Sequence, residues 1–380
     1  MQKTQLADDP TVVQRILDHI DNKTTDLSAT TWREPVEHYR SEARFTAERD
    51  LVFRRYPTAF CPSAALPSPG SYVARDAAGT PLLAVRGSDG RVRAFRNACR
   101  HRGTQLVSGA GCEKAFVCRY HAWTYGLDGS LRHVPDDHGF PGLDKSTRGL
   151  VPVETAEAQG LVFVTQDAPA LPGADLDALP PVIGSRWRYV GASELEIPAN
   201  WKILAEGFLE GYHIRSTHPD TFYPVQFDNL NVVETFGPNN RIAFPFRAIH
   251  KLRSVPPEAR SADGRLTYVY HLFPNVMVAT FPGRIVMVAI EPLAIDRTRF
   301  VTYLLTDHDA YDVAAQEAVE RGGDLVQVGA AQDRDVACAI QRSLTSGANE
   351  FFEFGRFEGA IGHFHRTLTA ALDAAGAASR

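Results

Sequence analysis

The sequence has few cysteines, no long apolar run and no surplus of positive charge. Its 380 residues include five cysteines, too few and too scattered for a disulfide framework, so a small secreted scaffold is excluded and a reducing cytoplasm is expected. No stretch approaches the ~20 consecutive apolar residues of a membrane span. The opening Met1-Gln2-Lys3-Thr4-Gln5 lacks the apolar core of a secretory signal. The formal net charge of −5 favours neither nucleic acid nor an anionic membrane surface as a partner. There is no internal repeat and no low-complexity tract. No Gly-x-Gly-x-x-Gly fingerprint and no four-cysteine ferredoxin run occur, so the chain has no evident means of drawing electrons from NAD(P)H unaided. What remains is ordinary for a globular protein: 44% hydrophobic residues and enough length for two domains with substantial cores.

Two short runs stand out, Cys99-Arg100-His101-Arg102-Gly103 and Cys118-Arg119-Tyr120-His121-Ala122-Trp123, with sixteen residues between His101 and Cys118. Each run offers one thiolate and one imidazole. That donor set suits a Rieske [2Fe–2S] cluster, in which two cysteines hold one iron and two histidines hold the other. Imidazole in place of thiolate makes the cluster less negative and raises its potential. It can then accept an electron from a donor and pass it to something more oxidising. A structural zinc site is the alternative. Zinc knuckles usually place like ligands together, whereas here each half gives one Cys and one His at unequal spacings. The remaining cysteines, Cys61, Cys112 and Cys338, are expected to be small buried hydrophobes.

Residues 9–20 place Val12, Val13, Ile16, Leu17 and Ile20 at helical spacing behind Asp9-Pro10, which predicts an amphipathic N-terminal helix. From about residue 51 to 165 the pattern is short and strand-like, with candidates at 71–73, 82–85, 92–95 and 161–164 and turn signals at Ser88-Asp89-Gly90 and Leu127-Asp128-Gly129-Ser130. Both Cys/His runs fall in loops of this region, where a rigid β scaffold can present them. Pro169, Pro172, Pro180 and Pro181 mark a seam. Beyond it the pattern predicts a helix over 199–218, strands at 241–246, 266–273, 275–281, 285–290 and 299–306, and helices at 324–343 and 360–375. The fold class is therefore α+β: an all-β cluster domain, then an antiparallel sheet packed with helices. The expected divisions are 1–44 (an N-terminal helical segment on the second domain), 45–165 (the cluster domain) and 166–380.

The run from Asn200 to His213 continues to Thr217-His218-Pro219 and contains Glu206, Glu210 and Tyr212. Two histidines separated by four residues are a weak signal alone, since such pairs are more often surface or satisfied core residues. The signal sharpens because a Rieske centre upstream needs an electron acceptor.

With both motif sets quoted, the chain resembles the large subunits of the Rieske non-haem iron ring-hydroxylating oxygenases, whose pattern is Cys-x-His-Arg-Gly followed by Cys-x-Tyr-His-x-Trp. The resemblance spans roughly 45–370 and includes Phe354-Gly355-Arg356-Phe357-Glu358 and His363-Phe364-His365. Respiratory Rieske proteins carry an extra cysteine in each loop, and here those places hold Thr104 and Tyr120.

The resemblance implies a helix-grip (START-like) catalytic domain with a mononuclear Fe(II) held by His213, His218 and a late Asp. It selects Asp333, eight residues before Gln341, with Asp335 as the fallback. Two imidazoles and one carboxylate on one face of Fe(II) leave the opposite positions open for O₂ and water. Glu210, three residues before His213 and expected on the same helical face, is implied to join His213 to His121 of a neighbouring subunit. Many relatives have Asp there, while Glu occurs in some, including a group acting on carnitine-like quaternary ammonium compounds. Asn200, Tyr212 and Glu206 are implied to support the iron, with a plain surface role equally open for Glu206.

The resemblance further implies a head-to-tail homotrimer and a separate NAD(P)H-dependent reductase, with or without a ferredoxin. The first expectation for the reaction is hydroxylation of a small aromatic or other apolar compound. The alternative is mono-oxygenation or oxidative demethylation of a carnitine- or betaine-like quaternary ammonium compound. A pure Rieske electron carrier and a relative with a decayed iron site are the remaining readings. Phe208, Phe222, Tyr223, Phe244, Phe246, Tyr270 and Phe281 are candidates to line the pocket, although core packing explains them as well.

Overall fold

Alternation along the strands builds the centre of the molecule. In the strand Leu266–Leu272, residues 266, 268, 270 and 272 pack into one core, while Val269 packs into a second core on the opposite face. The neighbouring strand Val276–Phe281 divides likewise, Val276 and Val278 to the first core, Met277 and Ala279 to the second. A sheet with both faces apolar must be covered on both, and here each face has a different cover. The architecture comes from a computed structural model that describes residues 6–168, 170, 176, 179–307 and 313–378; for 313–324 and 377–378 it describes the backbone alone.

The central sheet is antiparallel and seven-stranded, in the order Trp187–Ile197, Arg297–Asp307, Arg284–Ala294, Val276–Phe281, Leu266–Leu272, Asn239–Pro245, Val232–Phe236. One face is covered by the helix Asp9–Asn22 and by strands of the cluster domain, which contribute Val12, Ile16, Phe60 and Val162 to the shared core. That helix starts at Asp8, whose side chain accepts from the Thr11 N–H, and buries Val12, Val13, Ile16 and Leu17 as their spacing predicts. The other face is covered by helices, with Trp201 and Phe364 in the second core. The late helices are longer than the pattern suggests, Val313–Ser343 and Gly359–Ala378. The α+β expectation therefore holds.

The cluster domain is a seven-stranded antiparallel sheet, Thr58–Pro62, Leu161–Thr165, Pro152–Ala158, Val92–Arg96, Thr80–Arg86, Ser71–Ala77, Gly109–Cys112, with a small three-stranded sheet beside it. A buried ion pair ties it to the central sheet. Arg75 Nη1 donates to Glu291 Oε1 at 2.5 Å, Glu291 Oε2 accepts from the Ala78 N–H at 3.1 Å, and the Arg75 guanidinium also donates to the Phe60 carbonyl. Parts of the first 56 residues also pack against the other domain. The strand Trp32–Pro35 pairs with Phe351–Phe354, and Val52, Phe53 and Tyr56 join Trp201 in the second core.

The continuous helix expected over 199–218 is not formed. The chain makes the helix Trp201–Glu206, turns through 207–213, and makes the short helix Ile214–Thr217. Gly207 and Gly211 weaken helix across this stretch. At Gly211 the backbone runs so close to Asn231 that a Cβ would sit 2.5 Å from its Oδ1. Of the expected buried cysteines, Cys61 is buried, Cys338 is half-buried and Cys112 is exposed; all five cysteines are free. Pro172 and Pro169 lie outside the described residues. Among the described residues no helix is long and apolar enough to cross a membrane.

Candidate metal centres

The turn that breaks the helix also presents the second-metal residues. His213 ends the turn, His218 follows the short helix, and Asp333 reaches them from the long helix Val313–Ser343. His213 Nε2 lies 3.4 Å and His218 Nε2 2.9 Å from Asp333 Oδ1. The ligand atoms of all three residues fall within 4.8 Å of one another, the only such group of three among the described residues. Adjacent ligands at ~2.1 Å from one octahedral ion are about 3 Å apart, so this spacing is what a shared ion requires. His218 is fully buried and its Nε2 makes no hydrogen bond despite its nearness to Asp333. A buried imidazole nitrogen without a hydrogen bond, grouped with two other ligand atoms, is what a metal site presents. Asp335 is exposed.

The opposite ring nitrogens fix the tautomers. His213 Nδ1 is hydrogen-bonded to Glu210 Oε1, and Glu210 Oε2 also accepts from the backbone N–H groups of Tyr212 and His213. The expected pairing of Glu210 with His213 is present, but a turn makes it rather than a shared helical face. His218 Nδ1 lies 2.8 Å from Gln332 Oε1, which also accepts from the Thr221 hydroxyl at 2.8 Å. An amide oxygen only accepts, so His218 carries its proton on Nδ1 and turns the Nε2 lone pair toward Asp333. Burial opposes protonation of His213, but Asp333 and Glu210 outweigh it and push the metal-free imidazole up to about 10. Burial likewise raises Asp333, yet the two histidines hold its carboxyl below the usual range.

The other expected residues divide. Asn200 is fully buried and caps the helix Trp201–Glu206, accepting from the Lys202 N–H and donating to the Tyr39 and Ile295 carbonyls. Tyr212 is exposed, with its ring against Phe357 at 4.4 Å. Glu206 is buried and accepts from Tyr39 Oη at 2.6 Å and lies 2.8 Å from His365 Nε2, so a surface role is ruled out. Gln332 and the His365–Glu34 contact were not singled out from sequence, because both depend on elements far apart in the chain.

A cavity of about 150 Å³ adjoins the triad. Phe208, Phe222, Phe244, Phe281 and Phe300 line it with Val269 and Ala279, and its polar lining beyond the triad and Glu210 is Gln226, Thr267 and Arg334. Four of the seven aromatic candidates thus reach the cavity. Tyr223, Phe246 and Tyr270 do not line it; Tyr270 faces the opposite core.

In the cluster domain the two Cys/His runs form matching loops. The Gly103 N–H donates to the Cys99 carbonyl and the Ala122 N–H to the Cys118 carbonyl, both at 2.8 Å, and both donors sit in the left-handed region, at φ 78° and 55°. Cys99 and Cys118 are buried, while His101 and His121 bring their Nδ1 atoms within 3.1 Å. Two buried thiols and two convergent imidazoles fit a [2Fe–2S] group, with histidines on the outer side. Tyr125 Oη lies 3.3 Å from Cys99 Sγ and accepts from the Arg100 N–H at 2.8 Å, so its proton is directed at the sulfur. The ring of His101 stacks on Trp123 at 5.0 Å.

Residues 57–146 match the Rieske [2Fe-2S] domain, and residues 185–374 match the ring hydroxylating alpha subunit catalytic domain. The chain is 28% identical over 329 residues to the carnitine monooxygenase oxygenase subunit of Acinetobacter baumannii, covering 83% of this chain and 86% of that one. It is 27% identical to the glycine betaine monooxygenase oxygenase subunit of Chromohalobacter salexigens, covering 90% and 86%. A quaternary ammonium Rieske monooxygenase solved in complex with L-carnitine superposes with a TM-score of 0.74 at 21% identity, over 98% of this chain and 99% of that one, which establishes a shared fold. The chain therefore belongs to the Rieske ring-hydroxylating oxygenase alpha-subunit family, as an oxidoreductase with a Rieske [2Fe–2S] cluster and a His-His-Asp mononuclear iron site.

Proposed function

We propose that this oxygenase mono-oxygenates a small quaternary ammonium compound, and the observation that carries the reading is the phenylalanine-lined cavity beside the triad. A permanent cation gains from aromatic faces through the ring quadrupole, and five phenylalanines line the cavity. A cavity of about 150 Å³ is below the roughly 300–1,000 Å³ of drug-sized sites and suits a small molecule. The relatives named above act on carnitine and glycine betaine, which favours the quaternary ammonium alternative over the aromatic substrate placed first from sequence.

In this reading His213, His218 and Asp333 hold the iron, and Cys99, His101, Cys118 and His121 hold the cluster. When bound, the cluster supplies single electrons and the iron supplies an open coordination face for O₂. Glu210 and Gln332 keep both histidines in the tautomer that offers Nε2. The phenylalanines exclude bulk water and turn the substrate's alkyl groups toward the triad. Glu210 further bridges His213 to His121 of a neighbouring chain in a head-to-tail homotrimer, a closed ring of heterologous contacts. A separate reductase, with or without a ferredoxin, supplies the electrons.

The test is a single turnover. The iron-loaded protein is reduced chemically and given O₂ with a mixture of quaternary amines, aromatic acids, neutral aromatics and steroids, and products are read by mass spectrometry. An oxygenated or dealkylated quaternary amine supports the reading; an oxygenated aromatic alone refutes it. Iron analysis separates the electron-carrier alternative, which predicts two irons per chain where the oxygenase predicts three.

A further inference from the structure

The phenylalanines leave the cavity with few polar side chains apart from the triad, and one of these has an unpaired hydroxyl. Thr267 lies in the strand Leu266–Leu272, whose even-numbered residues face the core shared with the cluster domain, while Thr267 and Val269 line the cavity. Thr267 is 3% exposed, and its Oγ1 is buried with no hydrogen-bond partner. A valine would fill the same space without burying a hydroxyl, so the unpaired group points to a missing ligand. Gln226 also lines the cavity and is 7% exposed. Its backbone N–H is held by the Phe222 carbonyl at 2.8 Å, and its side-chain amide makes no hydrogen bond to the described residues.

We propose that Thr267 and Gln226 form a hydrogen-bonding seat for an oxygen of the substrate. The seat selects quaternary ammonium compounds that carry a hydroxyl, carbonyl or carboxylate arm over their plain alkyl analogues. The proposal deepens, and rests on, the quaternary ammonium reading above. The Thr267 hydroxyl and the Gln226 Nε2 are both donors, and an oxygen is the acceptor that satisfies both. In an apolar cavity a ligand without that oxygen leaves both donors unpaired, which disfavours its binding.

The experiment measures dissociation constants by calorimetry on the purified full-length protein. It uses two matched pairs: 4-(trimethylammonio)butanoate with butyltrimethylammonium, and benzyl alcohol with toluene. Wild type is expected to prefer the oxygenated quaternary amine by about tenfold or more. Thr267→Val should remove most of that preference by weakening the oxygenated ligand, leave the alkyl ligand within about twofold, and be rescued by Thr267→Ser. Gln226→Leu, which leaves the strand untouched, should act in the same direction and stands in if Thr267→Val fails to fold. An unchanged preference in these variants overturns the seat, and so does an equal loss for both members of a pair, which would mean packing alone. If wild type takes only the aromatic pair, the quaternary ammonium reading falls, and the same variants still decide the seat on benzyl alcohol against toluene. Binding of neither pair counts against both.

Discussion

Replacing Gln332 with leucine should loosen the iron without touching a ligand. Gln332 Oε1 accepts hydrogen bonds from His218 Nδ1–H and from the Thr221 hydroxyl, each at 2.8 Å. His218 is fully buried, so water does not replace the lost acceptor. The ring then either keeps an unpaired buried N–H, at ~1–3 kcal/mol, or moves its proton to Nε2, where a metal must displace it. Loss of such an outer partner typically weakens metal binding 10–100-fold, which is about 1.4–2.8 kcal/mol and agrees with the cost of the orphaned donor. Thr221→Val leaves the acceptor in place for His218 and should cost no more than about threefold.

The assay is anaerobic Fe(II) titration by calorimetry of protein depleted of its mononuclear iron alone, with the visible cluster spectrum as an internal control. Gln332→Leu should raise the dissociation constant about 10–100-fold with the spectrum unchanged. Iron binding within about twofold of wild type would refute the orientation argument. Loss of the cluster would show that the two centres are not independent.

Glu291→Ala strands the buried Arg75 charge and should destabilise the protein by about 3–5 kcal/mol, whereas the double change Arg75→Met with Glu291→Leu should cost far less. Urea midpoints of the two singles and the double test this, and simple additivity would contradict a coupled pair. Tyr125→Phe removes a donor to Cys99 Sγ and should lower the cluster potential, because that bond favours the more negative reduced state. The worth of a charged hydrogen bond sets a ceiling of about 65–130 mV for one electron, read by spectroelectrochemistry; an unchanged potential would mean the hydroxyl points elsewhere. Stability should fall on both sides of neutrality. Burial raises the Glu34 carboxyl, but His365, His38 and Trp32 outweigh it and push it down to about 2. Its contribution is therefore present above the unfolded value of about 4.3 and lost as pH falls toward the folded one. Burial lowers His365, but Glu206 and Glu34 outweigh it and raise the imidazole. That contribution is present below about 6.5 and lost as pH rises through the raised value. Melting temperature against pH should show Glu34→Gln flattening the acid limb, and an unaltered limb would refute the assignment.

The cluster residues were legible because their chemistry is local. Four donors lie in two short runs, and the loops that shape them close by bonds four residues long, Gly103 to Cys99 and Ala122 to Cys118. His213, His218 and Asp333 were legible only as a motif, since nothing local aims Asp333 across the chain. Gln332 is the sequence neighbour of Asp333, yet its partner His218 is 114 residues away and only folding reveals it. The edge strand Trp187–Ile197 was missed because it is largely exposed and carries Arg188, Glu194 and Glu196 in place of a clean apolar alternation. Trp32–Pro35 was missed because four residues make a strand only against a partner. The helix over 199–218 was overextended because apolar spacing continued through Gly207 and Gly211, the second of which the close approach of Asn231 requires.

That last pairing sets a timetable for synthesis. Pro35 pairs with Phe351, 316 residues later. At about 5–20 residues per second, the first strand waits roughly 16–63 s for its partner to leave the ribosome. Through that interval the face meant for Phe351–Phe354 stands uncovered on the nascent chain. The cluster domain, complete by Thr165, can acquire its iron and sulfur long before the other site exists. A cell short of chaperone capacity should accumulate chains that are coloured by their cluster and inert.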